Sequence, residues 1–442
     1  MKSTNTHRAD RGCTSRRATS GLRGLLALGL AFGVAACDTD VVNPGPIAGD
    51  FLDSPDAQAA ITNGAGRALG DAMNWISYTS ASVAREIHPS GSTGSFGITP
   101  EQQRGELNND EVNTHWENVH RARFMVEDGL DRIDQLEAGE QDDEVLAQLY
   151  LWGGYTYRLA GESLCEAVID GGSAQDHGVF FTRAIELFDQ AASLGTGDVR
   201  TAAVAGRASV KVWQGDWAGA LADAGSVPDD FSYVMPYYDI GDDNQGNRLY
   251  IAAKSEPYKA HSQWSTWVEG YGMSEDTPDG DPRVPYTITG TVGDASTSCC
   301  GEVPFNPQTK YENDDAAIEL SSGPEMRLLE AENALFNDSD MATAVAIINE
   351  LRADAGVDPI APASMTEAQM MFLREHAIEQ WLEARRLPAL WRWNEAGVPL
   401  ETLLQPLEQV GDGNIQTGSH LQERDFCFPI SEGEEQTNPN VG

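Results

Sequence analysis

The sequence predicts a mainly α fold, a scaffold of stacked helix pairs that carries an irregular, loop-rich face and few short strands. Apolar residues recur every three or four positions through most of the chain, the period of an amphipathic helix. Small residues recur inside those stripes at repeated offsets, which lets helices approach closely and stack. One long segment, broken by prolines, interrupts both patterns.

Residues 1–36 read as a leader outside the fold. The apolar run from Gly24 to Val34 follows a basic stretch; it is too short to cross a bilayer, which takes about 20 residues, and suits the core of a signal peptide. It ends Val34-Ala35-Ala36-Cys37, and a branched residue, two small ones and a cysteine resemble the lipobox of bacterial lipoproteins. That resemblance implies a lipoprotein signal peptide over 1–36, cleavage just before Cys37, and a diacylglyceryl group with further acylation (palmitate) on the Cys37 thiol. Two or three acyl chains, at about 0.8 kcal/mol per buried methylene, anchor a protein stably where one does not. The plainer alternative is an ordinary signal peptide with an incidental cysteine. Asp38 and Asp40 resemble the surface-export signals of some outer-membrane lipoproteins, and 37–55 reads as a lipidated tether.

Residues 56–225 read as an N-terminal helical scaffold. Val119, Ala122, Val126, Leu130, Ile133 and Leu136 form one stripe in 117–136, and Val145, Leu149, Trp152, Thr156 and Leu159 another in 142–160. Shorter helices are expected at about 180–194, 199–214 and 216–224. Ala184, Phe188 and Ala191 share their spacing with Ala344, Ile348 and Leu351. Gly215-Asp216-Trp217 followed by Ala220 and Ala224 looks like the turn and second helix of a tetratricopeptide unit, so the scaffold is expected to be a tetratricopeptide-like helix-pair solenoid. Residues 226–312 hold eight prolines and many aromatics without helical period, and read as a loop-rich, ligand-facing subdomain. Helices are expected again at about 324–336, 341–355 and 366–384 within a C-terminal region, 313–442, that ends in an irregular tail.

The chain carries 29 Lys+Arg against 69 Asp+Glu, a formal charge of −40, and removal of a leader with six basic residues and one acid takes it to −45. A chain so acidic lacks the basic face that nucleic acid or an anionic membrane surface requires. Beyond the leader and Cys37, Cys165, Cys299, Cys300 and Cys427 remain as disulfide candidates in an oxidising compartment. Four cysteines allow three pairings, and the sequence does not choose among them. No C-x2-C pair, HExxH spacing, GxxxxGK loop, dinucleotide fingerprint or GxSxG elbow occurs, so neither a metal nor a cofactor is expected. Asp242 to Asn247 is similar to a calcium loop, but Ala253 stands where the bidentate Glu belongs, and a solvated turn is the simpler reading.

Three C-terminal stretches, Pro324 to Ala334 with Ala344 to Gly356, Arg374 to Trp393, and Phe428 to Asn440, together resemble the SusD/RagB family of outer-membrane nutrient-uptake lipoproteins. Pro324 to Ala334 with Ala344 to Gly356, carrying Asn349, Arg352 and Gly356, resembles the family's helix pair that closes on Asn-x-x-Arg-x-x-x-Gly. Arg374-Glu375 through Glu379, Glu383 and Arg386 to Arg392-Trp393 is similar to its Glu- and Arg-rich helix. Phe428-Pro429-Ile430 with Glu434 to Asn440 matches its terminal Pro-Ile…Asn-Pro-Asn signature. Ala384 stands where the family pattern has Gly, and Ala389 where it often has Asp. The resemblance implies a SusD-like fold and a protein that sits over a TonB-dependent β-barrel transporter (SusC-like) at the outer membrane, facing the cell exterior. Such proteins capture oligosaccharides or peptides without cleaving them. The rival readings are a secreted glycosidase or peptidase, and a tetratricopeptide envelope scaffold that binds no small ligand.

Glycan recognition needs flat apolar faces flanked by hydrogen-bonding groups. Two clusters offer them and read as loop-borne: Asn74, Trp75 and Tyr78, and Gln263, Trp264, Trp267 and Tyr271. Core packing is the alternative for each ring, and Trp116, Trp152, Trp213 and Trp381 lie on helical stripes and read as core. The charges on 374–386 read as a salt-bridged helix, not a catalytic pair, on the expectation that an Arg beside each acid lowers its pKa. No catalytic residue is assigned.

Overall fold

The stripes fold as helices close to where their periods place them. The computed structural model describes residues 49–137, 139–239, 245–254, 258–294, 302–413 and 420–441; Cys37, Cys299, Cys300 and Asp242 to Asn244 lie outside these. The N-terminal scaffold consists of α1 (Gln58–Val83), α2 (Asn113–Asp134), α3 (Asp143–Ser163), α4 (Gly178–Leu194), α5 (Gly197–Trp213) and α6 (Trp217–Ala224). Sequence neighbours pack on one another, α3 on α4, α4 on α5 and α5 on α6, as a helix-pair stack requires. Phe188 on α4 shows why small residues recur. Its ring fills the space where a Cβ at Gly154 of α3 or Gly206 of α5 would stand, so three helices close around one side chain. The Gly215-Asp216-Trp217 turn works as its sequence suggests: Gly215 takes φ 74° and the Asp216 carboxylate caps α6 by accepting from the Gly219 amide.

The loop-rich segment is an excursion between α6 and the next helix, and its two ends are pinned together. β1 (Ser232–Met235) pairs antiparallel with β2 (Ile318–Ser322), with a register shift between Tyr233 and Val234. The excursion buries side chains in the same core as the helices: Trp267, Val284 and Tyr286 join Leu69, Phe188, Phe372 and Trp393 in one cluster. Trp116 and Trp381 are buried as expected, whereas Trp152 and Trp213 are only partly covered.

Four further helices complete the chain's main elements: α7 (Gly323–Glu332), α8 (Met341–Asp354), α9 (Met365–Glu379) and α10 (Arg386–Glu395). Ser322, Asp340 and Ser364 cap the first three by accepting from Glu325, Thr343 and Glu367 amides, each cap being worth about 1 kcal/mol. Arg392 grips Glu332 with both guanidinium ends and the Trp393 indole N–H donates to the same carboxylate at 2.9 Å, which ties α10 to α7. The tail docks back on α3. Cys165 and Cys427 form a disulfide, the Cys165 and Phe428 backbones exchange hydrogen bonds with Phe428 and Ser163, and Asn438 and Asn440 side-chain amides donate to the carbonyls of Gly172 and Gly171. Among the described residues no helix is long and apolar enough to cross a membrane.

The helix expected over 366–384 stops at Glu379, because Leu382 and Ala384 take φ 61° and 60°. A left-handed residue with a Cβ costs about 1–2 kcal/mol, and Ala384 holds that conformation where the family pattern has glycine. Ala384→Gly is therefore expected to raise stability by about 0.5–1 kcal/mol, read as a higher denaturant midpoint at unchanged slope. An unchanged or lower midpoint would show that the buried methyl outweighs the backbone relief.

Candidate functional site

A cleft of about 890 Å³ opens between the turn 270–282 of the loop-rich excursion and the end of α8 with one face of α9. The turn is knotted by its own hydrogen bonds. The Asp281 amide donates to the Tyr271 carbonyl at 2.8 Å, the Thr277 hydroxyl donates to the Gly272 carbonyl at 2.6 Å, and Asp281 is neutralised by Arg283. Asp276 and Asp279 stay exposed at the rim.

The opposite wall is built by the Asn349-x-x-Arg352-x-x-x-Gly356 pattern. Asn349 clasps the Ile360 backbone in both directions, at 3.1 and 2.7 Å. Arg352 donates to the Asp358 carbonyl at 2.6 Å and to Glu375 at 2.9 Å, and Gly356 turns the chain at φ 74°. These bonds set the 355–360 loop as a fixed rim. Arg374 of α9 then lies with its guanidinium carbon 4.3 Å from the centroid of the Tyr271 ring. Such a contact, worth about 0.5–1 kcal/mol at an exposed site, holds the ring in place within the cleft. One aromatic face, a guanidinium, rim carboxylates and the thioether of Met371 can stack on and hydrogen-bond a polyhydroxylated ligand.

Of the seven aromatic-cluster candidates, Tyr271 alone lines this cleft. Gln263 and Trp267 are buried, at 1% and 2% exposure, and Trp264 is half-buried with its ring edge-on to His88 at 5.2 Å. The other cluster is not on a loop at all, since Asn74, Trp75 and Tyr78 belong to α1. Asn74 donates to the Gly246 carbonyl and accepts from the Arg248 amide, Tyr78 bonds His261 at 2.8 Å, and Trp75 lies under the Arg248 guanidinium at 3.7 Å. That cluster joins α1 to the excursion, with Asn74 and Tyr78 buried and Trp75 half-buried. Arg374 was legible only as a member of a charged helix, and Arg352 only as part of the Asn349-x-x-Arg352-x-x-x-Gly356 pattern. Their place at a cleft depends on the turn that faces them.

The acids of α9 are ion-paired, but with cations of other elements and not with the arginines of their own stretch: Glu375 with Arg283 and Arg352, Glu379 with Arg283, and Glu383 beyond the helix with Lys310 at 2.5 Å. At Glu379 and Glu383 the expected lowering of the pKa fails. Burial outweighs the neighbouring cations, raising Glu379 and pushing Glu383 up to about 7.

No protein-family model matches the chain, and no curated relative does. Solved structures are similar over most of its length. A SusD superfamily protein from Bacteroides vulgatus matches with a TM-score of 0.62 at 16% identity, covering 88% of this chain and 98% of its own. Surface glycan-binding protein A from Bacteroides uniformis matches at 0.63 and 13%, covering 86% and 98%. A SusD-like carbohydrate binding protein from Bacteroides vulgatus matches at 0.59 and 13%, covering 88% and 97%. Stacked helix pairs, a pinned loop-rich excursion and a docked tail together give this chain the fold of the SusD superfamily.

Proposed function

We propose that the protein captures glycans, or peptides, in the cleft at Tyr271 and passes them uncleaved to a TonB-dependent β-barrel transporter, anchored to the outer membrane through lipid on Cys37. The observation that carries this reading is the Tyr271 ring held against Arg374 inside an open polar cleft. Two of the similar structures are named as carbohydrate- or glycan-binding proteins, which supports the same ligand class.

Calorimetry or affinity electrophoresis against a glycan panel tests it. Tyr271→Ala is expected to weaken retention of the bound glycan about fivefold or more, the equivalent of about 1 kcal/mol of aromatic contact. Retention unchanged in that variant would remove the cleft from the binding face and leave the half-exposed Trp264 as the next ring to test. A second reading, hydrolysis, is favoured by one observation: Glu383, with its raised pKa, lines a neighbouring cleft of about 620 Å³ together with Glu379 and Lys310. New reducing ends or new amino termini in the same mixtures would establish it. Incorporation of labelled fatty acid, lost in Cys37→Ala, tests the anchor, and co-purification of a β-barrel tests the partner.

A further inference from the structure

Just beyond the C-terminal end of α1 the interior holds one positive charge, on Arg85, that no carboxylate among the described residues pairs with. Arg85 is fully buried, and its Nη2 donates to the Ser265 carbonyl at 2.7 Å, while Nε and Nη1 have no partner. Both ends of that bond sit in left-handed backbone, Arg85 at φ 61° and Ser265 at φ 55°, an arrangement that persists only when the surroundings enforce it. Three imidazoles crowd the same place. The ring of His88 lies 5.6 Å from that of His420, and the charge of Arg85 acts on His88, His261 and His420 alike. His88 Nδ1–H donates to the Pro89 carbonyl at 2.7 Å, and among the described residues its Nε2 has no hydrogen-bond partner. Arg424 lies nearby but has its own counter-charge: it is tied to the Glu408 carbonyl, and its Nη1 stands 3.7 Å from the Glu401 carboxylate.

Burial, with Arg424 adding to it, brings Arg85 down only to about 9, so it remains a cation at neutral pH. Burial likewise lowers His261 to about 3 and His420 to about 4, so those rings are neutral. Among the described residues no carboxylate pairs with Arg85, and an unmatched buried charge with open donors costs several kcal/mol. We propose that this cluster binds a small monovalent inorganic anion of the chloride class, held by the Nε–H and Nη1–H of Arg85. The exposure of Arg85, His88, His261 and His420, between 0 and 4%, excludes a sugar acid or a peptide carboxylate. One negative charge matches one guanidinium, whereas a phosphate dianion would exceed it.

Thermal unfolding of the mature chain at constant ionic strength, with sodium chloride or bromide replacing sodium methanesulfonate, tests the proposal. The unfolding temperature is expected to rise with halide and to saturate, as for any ligand that binds the native state alone. Arg85→Met, which keeps the side-chain volume without the charge, is expected to abolish the halide dependence. Where that variant does not fold, crystals of the wild type grown in sodium bromide decide, by an anomalous peak within hydrogen-bond reach of Arg85. Equal unfolding temperatures in halide and methanesulfonate, a halide effect retained in folded Arg85→Met, or water alone at Arg85 in the bromide crystals would each overturn it.

Discussion

Glu325→Ala is expected to lower folding stability by about 3–5 kcal/mol, because it strands buried positive charge. Glu325 accepts from Arg158 Nη2 at 2.5 Å, from Arg385 Nη2 at 2.9 Å and from the Ser209 hydroxyl at 2.8 Å. Both arginines also reach Glu162, and Arg158 donates to the Leu320 carbonyl and the Ser321 hydroxyl, each at 3.1 Å. Two guanidiniums and two carboxylates are thus matched where α3, α5, α7 and β2 meet. Removing one carboxylate leaves Arg158, only 2% exposed, sharing a single acid with Arg385. Denaturant melts of wild type and variant at pH 7 measure the loss, and a change below about 1 kcal/mol would show that water enters and screens the site.

The pH dependence follows from the same geometry. Burial by itself would raise the Glu325 carboxyl, but Arg158, then Arg385 and the Ser209 hydroxyl, outweigh it and hold the group below its ordinary 4.5. A carboxyl lowered in the folded state stabilises it fully above the unfolded value, and that contribution vanishes as pH falls through the folded value. Wild type therefore loses this contribution below about pH 4.5, and Glu325→Ala, which never had it, shows a correspondingly shallower acid limb.

Cys165→Ser is expected to cost about 3–5 kcal/mol, since the bridge to Cys427 closes a loop with a sequence separation of 262 and so removes much freedom from the unfolded chain. Cys427→Ser and the double variant should match it, because each breaks the same bond. Limited proteolysis supplies an independent readout. Without the bridge, the tail is held by the hydrogen bonds of Phe428, Asn438 and Asn440 to 163–172 and by those of Glu432, Gly433 and Glu435 to Asn109 and Asn113, and cleavage after residue 430 should accelerate. Equal stability and equal cleavage would mean that those contacts suffice.

The helices were legible because a stripe of period 3.6 is a local property: the same residues that create the pattern form the buried face. Ala184, Phe188 and Ala191 all turn inward on α4, and the Gly215-Asp216 turn needs only its own backbone and the Asp216 carboxylate. The terminal motifs were legible as motifs, while their work was not. Arg392-Trp393 exists to grip Glu332, and Asn438 and Asn440 to fasten the tail to a turn far away in sequence.

Side-chain exposure in the loop-rich excursion was not legible, and neither was the cleft. Trp264 and Trp267 share one polar, proline-broken stretch, yet one ring is half-exposed and the other is sealed in the core. The difference is made by what packs over them. In the same way, charge spacing suggested that Glu379 and Glu383 would be ion-paired, but not that their partners would be Arg283 and Lys310, nor that burial would raise both carboxyls against those cations.

Composition, helical period and turn chemistry were thus enough to specify a stacked, mainly α scaffold with a loop-rich excursion, since each acts over a few neighbouring residues. The meeting of Tyr271 with Arg374, the pairing of Cys165 with Cys427 and the uncompensated charge of Arg85 join residues distant along the chain. Only the packed arrangement of helices brings such groups together, because contact and desolvation are properties of three-dimensional neighbours.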